Sequence, residues 1–228
     1  MNGTIVNALA IAAGSLLGLL FKKGIPETYK QTIMQAVSLA VILIGIQTAL
    51  KSDDILMVIL SLAIGSVVGE FARIEYRLES LGQWLENRFS NQEGSISNGF
   101  VTASLVFCVG SMAIVGSLES GLTGNQQTLY AKSALDGITS IIFASTLGVG
   151  VILSSVAVLL YQGAITILAV FIKPYLVPEV VAQMSSAGGV LIAAIGINLL
   201  GPIKIKVGNM LPAVFIPLIY YALNSIFY

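Results

Sequence analysis

The chain has 228 residues, of which 56% are hydrophobic and 10% charged, with 11 Lys and Arg set against 11 Asp and Glu. A soluble domain carries about 25% charged residues, so the composition excludes an ordinary globular enzyme and a nucleic-acid binder with a basic face. With no histidine and one cysteine, Cys108, it also excludes His/Cys metal sites, histidine acid–base chemistry and a disulfide framework. No metal, cofactor or enzymatic activity is expected, and the solvent for this surface is the lipid bilayer.

The opening MNGTI lacks a basic region and a small-residue cleavage site, so the first apolar stretch is read as a mature span. A membrane helix needs about 20 apolar residues to cross about 30 Å of hydrocarbon. Stretches 4–21, 31–50 and 55–69 meet this, followed by 97–118, 180–203 and 207–227. Segment 137–172 runs 36 residues without a charge. As one helix it would be about 54 Å long, too long for one crossing. Two crossings with a tight turn at 146–150 (TLGVG) require the first to begin near Gln127, which puts Lys132 and Asp136 in or at the edge of the membrane. The expected fold is therefore an all-α polytopic membrane protein of about eight spans.

Basic residues orient it, because cytoplasmic connections are enriched in Lys and Arg. With the N-terminus outside, eight basic residues fall inside (Lys22, Lys23, Lys30, Arg73, Arg77, Arg88, Lys204, Lys206) and three outside (Lys51, Lys132, Lys173). Both termini are expected outside a bacterial inner membrane.

Within segment 71–96, apolar residues at 71, 74, 78, 81, 85 and 89 share one helical face. This predicts an interfacial cytoplasmic helix with Trp84 at headgroup depth, or else a connector continuing the third span. Glu75, Glu79 and Glu86 offset its three arginines, so it is no polybasic lipid patch. The polar stretch 90–98 (SNQEGSISN) divides the halves.

The chain also repeats itself. Ile25-Pro-Glu followed by Gly45-Ile-Gln47 is echoed by Val177-Pro-Glu followed by Gly196-Ile-Asn198, the proline-to-glycine separations being 19 and 18 residues. Spans one to three would match spans six to eight with opposite orientation, an inverted repeat. A weaker echo pairs GSLLGL at 14–19 with GSLESGL at 116–122. The expected organisation is one membrane domain (1–228): a three-helix unit over 1–70, the interfacial segment 71–96, a central helix pair over 97–147 and a second three-helix unit over 148–228.

Lys132 and Asp136, at i and i+4, share a helical face. An ionisable residue inside a membrane is a functional candidate by default, although a structural bridge or a headgroup-level pair would also explain them. Glu119 and Glu70 stand at span ends, where hydrated termini are ordinary; glycines surround Glu119 and Lys132 is within a loop's reach of it. The amides Asn7, Gln35, Gln47, Gln162 and Asn198 suit interhelical hydrogen bonding, but Gln47 and Asn198 occupy matching repeat positions and are candidate ligands. Ser111, Ser117, Ser140 and Ser145 lie in small-residue stretches that either pack helices or line a helix break. Ridges Ala10-xxx-Gly14-xxx-Gly18 and Ser61-xxx-Gly65-xxx-Gly69 suit close packing, either within the chain or in a homodimer. Pro217 is expected to bend the last span. Cys108 reads as a small buried hydrophobe.

MNGTIVNALAIAAGSLLGLLFKKGIPETYK, GSMAIVGSLESGL, AKSALDGITSIIFASTLGVGV and the YQG that follows closely resemble the bacterial membrane proteins grouped as domain of unknown function family 554. The resemblance covers essentially the whole chain. It implies a multispanning inner-membrane protein, often labelled a candidate transporter, with no substrate to carry over.

The leading expectation is a small-solute transporter or channel-like permease, proton- or cation-coupled. Its site would be lined by Ser111, Ser117, Glu119, Lys132, Asp136, Ser140 and Ser145, with Asn7, Gln47 and Asn198 as secondary ligands. Asp136 would carry the coupling charge with Lys132 as its partner, and the solute would be small and polar or zwitterionic. The rival is a structural or regulatory protein assembling through the small-residue ridges. A hydrated cavity reaching Asp136 favours the first; a packed bridge in a dry bundle favours the second.

Overall fold

The computed structural model describes residues 1–22, 27–77, 80, 96–108, 111–201 and 203–227. Among these there are helices and no strand: α1 (Asn2–Lys22), α2 (Glu27–Ala49), α3 (Ile55–Ala72), α4 (Ile96–Cys108), α5 (Ser111–Leu122), α6 (Gln127–Leu147), α7 (Gly150–Ile172), α8 (Pro178–Leu200), α9 (Val207–Met210) and α10 (Ile216–Phe227). Six segments are long and apolar enough to cross a bilayer: α1, α2, α3, α7, α8 and the run Val207–Ser225. The pair α4 and α5, whose axes differ by 60°, makes a seventh if counted as one broken span. At 21 residues α6 has the length to cross, but it contains Lys132 and Asp136 and is not among the six.

Glycine contacts fix the direction of each pairing. Gly14 lies against Gly137 and Ser140, and Gly18 against Ile141 and Ala144, so α1 and α6 run parallel. Gly45 meets Ala193, Gly189 meets Thr48 and Ala49, and Gly196 meets Ser38 and Ile42, so α2 and α8 run antiparallel. Gly65 meets Ala213 and Gly69 meets Asn209, which sets α3 antiparallel to the last span. Gly150 meets Ile96 and Phe100, and Gly121 meets Thr166 and Ala169, so the bent pair runs parallel to α7. A side chain at any of these glycines would force backbones apart, and close approach through small residues is what associates helices in lipid. Both small-residue ridges read from the sequence are therefore spent on internal contacts.

The most enclosed helix is α8, 72% buried against 22% for α3. Around it Ile11, Val41, Phe107, Ile114, Val151, Val158, Leu191 and Ile192 are buried in one core, with Phe107 and Phe143 stacked at 6.0 Å between ring centroids. Leu9, Leu16, Leu20, Leu39, Val67, Phe71, Leu160 and Ile167 face outward. An outer surface this apolar suits acyl chains and would be abnormal in water.

Two features differ in detail from the sequence expectation. The fourth span is bent between α4 and α5, where the sequence indicates one helix over 97–118. α3 stops at Ala72 with Arg73 in the left-handed conformation (φ 51°), so the third span does not run on as one continuous helix into the segment beyond. Most of the expected interfacial helix, with Trp84, and residues 90–95 of the polar boundary lie outside the described residues. The last span is irregular upstream of Pro217, as a 3-10 turn over Leu211–Phe215. Pro217 has no N–H to give the carbonyl four residues back, so the preceding turn tightens. The turn at 146–150 takes two residues, Gly148 (φ 84°, ψ −158°) and Val149, between α6 and α7.

Candidate functional site

The polar centre of the bundle is built by α1, α6 and α7. Buried positions of α6 recur as Leu129, Lys132, Ser133, Asp136, Ser140, Phe143, Ala144 and Leu147, one helical stripe with charge in its first half. On that stripe Lys132 Nζ lies 3.0 Å from each carboxylate oxygen of Asp136. Only 5% of Lys132 and 7% of Asp136 is exposed. Asn7, fully buried on α1, donates from Nδ2 to Asp136 Oδ2 at 3.0 Å and to Gln162 Oε1 of α7 at 3.4 Å. Three helices thus converge on one ion pair.

The amide orientations follow from the chemistry. A carboxylate accepts only, so Asn7 must turn its NH2 towards Asp136, leaving Oδ1 directed elsewhere. The same nitrogen serves Gln162 Oε1, so Gln162 Nε2 points away as well. Neither Asn7 Oδ1 nor Gln162 Nε2 has a partner among the described residues, nor do the hydroxyls of Thr4, Ser117 and Thr166. Of the other buried hydroxyls, Ser133 donates to the Leu129 carbonyl at 2.7 Å and Ser154 to that of Val151 at 2.6 Å, while those of Ser15, Ser61, Ser104 and Ser185, elsewhere in the bundle, are also without a partner among the described residues. A buried polar atom without a partner costs about 1–3 kcal/mol, and natural bundles retain few.

Two of these hydroxyls lie towards one end of the network. Thr4 precedes Asn7 by one turn on α1, and Thr166 follows Gln162 by one turn on α7. The helices run in opposite directions, since α1 is parallel to α6 and the two-residue turn reverses α7, so both threonines lie on the N-terminal side of Asn7. Ser117 is one turn before Gly121, which packs on Thr166, and α5 is parallel to α7; this sets Ser117 level with Gln162.

Of the remaining sequence candidates, Ser140 shares the buried stripe of α6, one turn beyond Asp136, and the others lie elsewhere. Ser140 is buried and donates to the Gly137 carbonyl at 2.7 Å; Ser145 is half-buried and donates to Ile142 at 2.8 Å. Glu119 is half-buried and accepts from Thr128 Oγ1 at 2.6 Å, closing the loop between α5 and α6. The side chain of Ser111 is outside the described residues. Gln47 is exposed on α2. Asn198 grips Ile205 through two 2.8 Å bonds to its backbone, which straps the connection to the last span. Glu70, at the end of α3, is bridged to Lys206 at 3.2 Å and accepts from Asn209 at 2.6 Å.

The sequence singles out Asn7, Lys132 and Asp136 but gives Gln162 only a packing role. The available signal was a lone amide beside Gly163 within the apolar helix α7. Thr4 and Thr166 carried none, since hydroxyls are common in such helices.

Two cavities lie away from this network. One of about 380 Å3 is lined by Glu75, Asn98, Thr102, Asn198 and Lys204, where α3 and α8 end and α4 begins. The other, of about 710 Å3, is lined by Asp54, Met57, Gln183 and Tyr220 at the opposite ends of α3 and α8. Asp136 lines neither, so the ion pair is closed off from both.

No solved structure matches the chain. It is similar to "Uncharacterized membrane protein YdfK" of Bacillus subtilis, 36% identical over 221 residues that cover 95% of this chain and 94% of the relative. It is also similar to "Uncharacterized protein YqgA" of Escherichia coli, 31% identical over 217 residues and 92% of each. The family model described as "Protein of unknown function (DUF554)" matches residues 2–222, and with these relatives and this bundle of apolar helices the chain belongs to that family, as a multi-pass membrane protein.

Proposed function

We propose that the protein is a small-solute transporter or channel-like permease of the bacterial inner membrane, with both termini outside, and that Asn7, Lys132, Asp136 and Gln162 form its polar site. The observation behind this is the buried ion pair joined to two amides that keep unspent hydrogen-bonding atoms. Structural bridges are satisfied internally; a site for a polar solute needs groups still free to bind one. The two candidate acids and bases neutralise each other, which suits a neutral or zwitterionic solute. Enzymatic activity forms no part of this reading.

We read the chain as an inverted repeat, on the matching Pro-Glu and Gly-Ile motifs of its two halves. The exchange that carries Gly45 onto Gly196 also carries Ile42 onto Ala193, and the Gly45–Ala193 and Gly196–Ile42 contacts are compatible with it, as those of any antiparallel helix pair would be. The same exchange takes the parallel pair α1 and α6 onto the parallel pair of α7 with α4–α5. It requires α6 to cross the membrane, for eight spans in all.

The packed Lys132–Asp136 bridge favours the rival reading, a structural protein without a solute path. That reading relied on ridges free for assembly, and both ridges are consumed within the chain. The test is uptake of labelled amino acids and small sugars by proteoliposomes. Uptake of at least one solute, lowered tenfold or more by Asp136→Asn, supports transport; uptake of none, or equal uptake by the variant, refutes the role given to Asp136.

A further inference from the structure

We infer that the Asp136 carboxylate is a monovalent-cation site of the sodium type, for which Lys132 is the tethered competitor; this rests on the transport reading and names its coupling ion.

The donor set is the first argument. Asp136 is bonded to Lys132 and the Asn7 amide, with the Gln162 amide next beyond; the unpartnered hydroxyls of Thr4, Ser117 and Thr166 stand on the helices that carry or adjoin these amides, and one sulfur, the Cys108 thiol, lies within electrostatic reach of the pair. Carboxylate, amide and hydroxyl oxygens are ligands for hard cations; soft metals need sulfur or imidazole. A single carboxylate suits a single charge. No group of three or more His, Cys, Asp or Glu lies together among the described residues, so a divalent ion has no comparable cage here.

Charge is the second. In low dielectric a second cation beside an intact Lys132–Asp136 pair would leave an uncompensated charge. Lys132 Nζ occupies the position, 3.0 Å from both carboxylate oxygens, that a bound cation needs. Exchange is therefore required, and Lys132 is placed to leave. It is the sixth residue of α6, one turn nearer the helix end than Asp136, and its stem can carry the ammonium to the interface on that side. The unpartnered hydroxyls of Thr4 and Thr166 lie towards the same end, so cation entry and lysine withdrawal share a direction. A half-turn of the Asn7 amide then presents Oδ1, the acceptor without a partner, to the incoming ion.

The experiment is thermal unfolding of the full-length protein in detergent at constant ionic strength, with NaCl replacing choline chloride. Wild type is expected to show a saturable rise in midpoint with Na+. Lys132→Gln removes the competitor and should reach half its shift at about tenfold lower Na+, as for a site held closed nine-tenths of the time. Asp136→Asn should show no shift. Equal midpoints in NaCl and choline for wild type and Lys132→Gln overturn the inference, as does a response to pH alone, which would make the ligand a proton. If either variant fails to fold, Thr4→Val combined with Ser117→Ala, which spares the ion pair, should weaken the wild-type Na+ response; an unchanged response also overturns the site. A Na+ shift without solute uptake would leave this site standing while the transport reading fails, and uptake indifferent to Na+ would do the reverse.

Discussion

Lys132 and Asp136 depend on each other for their place in the bundle. Removing one partner of a buried ion pair costs about 3–5 kcal/mol, whereas replacing both by apolar residues of similar volume is close to neutral. Lys132→Met and Asp136→Leu are each expected to lower unfolding stability by about that amount, and the double variant to recover most of it, measured by thermal or SDS unfolding. If the double variant loses as much as the two single ones together, the pair is not the unit that matters. Sequence reasoning reached this pair because charge is rare in the chain. It did not reach the pairing of Asn7 with Gln162, which belong to helices more than a hundred residues apart, because helix spacing gives a residue's face and says nothing of which neighbour that face meets.

At the scale of elements, glycine decides which helices touch. Gly45 and Gly196 each lie against backbone of the opposite helix, where an added side chain forces a shift costing about 1–3 kcal/mol. Gly45→Val and Gly196→Val are expected to lower the unfolding midpoint by similar amounts, while lipid-facing Leu39→Val leaves it nearly unchanged. Unequal losses would count against equivalent positions in two units. Gly148→Ala should also destabilise, by about 1–3 kcal/mol, since φ 84° with ψ −158° is essentially glycine-only backbone. The turn itself was readable, because 36 uncharged residues do not fit in one span. The break between α4 and α5 was indicated only as a small-residue stretch, since a Gly-Ser-rich run looks the same whether it packs a straight helix or interrupts one.

For the whole molecule the open quantity is the number of crossings, and α6 decides it. With α6 crossing, residues 53 and 203 fall on opposite sides of the membrane; without it they share one. In a Cys108→Ser background, Asp53→Cys is expected to react with an impermeant maleimide in intact cells and Ile203→Cys only after permeabilisation. Reaction of both in intact cells removes the eighth span and the outside C-terminus with it. Membrane class and helix order were legible because hydropathy acts locally along the chain. The two ridges were visible as well, but their partners were not: a small-xxx-small row reads alike whether its mate lies elsewhere in the chain or in a second copy.

The bond between Asn7 and Asp136 joins residues 129 apart, which has a consequence for biosynthesis. Synthesis at about 5–20 residues per second places Asp136 some 6–26 s behind Asn7. Over that interval α1 sits in the bilayer with a polar face, Thr4, Asn7 and Ser15, and no α6 to receive it. The first helix to enter thus waits through the four helices α2 to α5 before its partner is made, and the nascent chain must be sheltered by the insertion machinery, or by its own early helices, until the middle of the protein arrives.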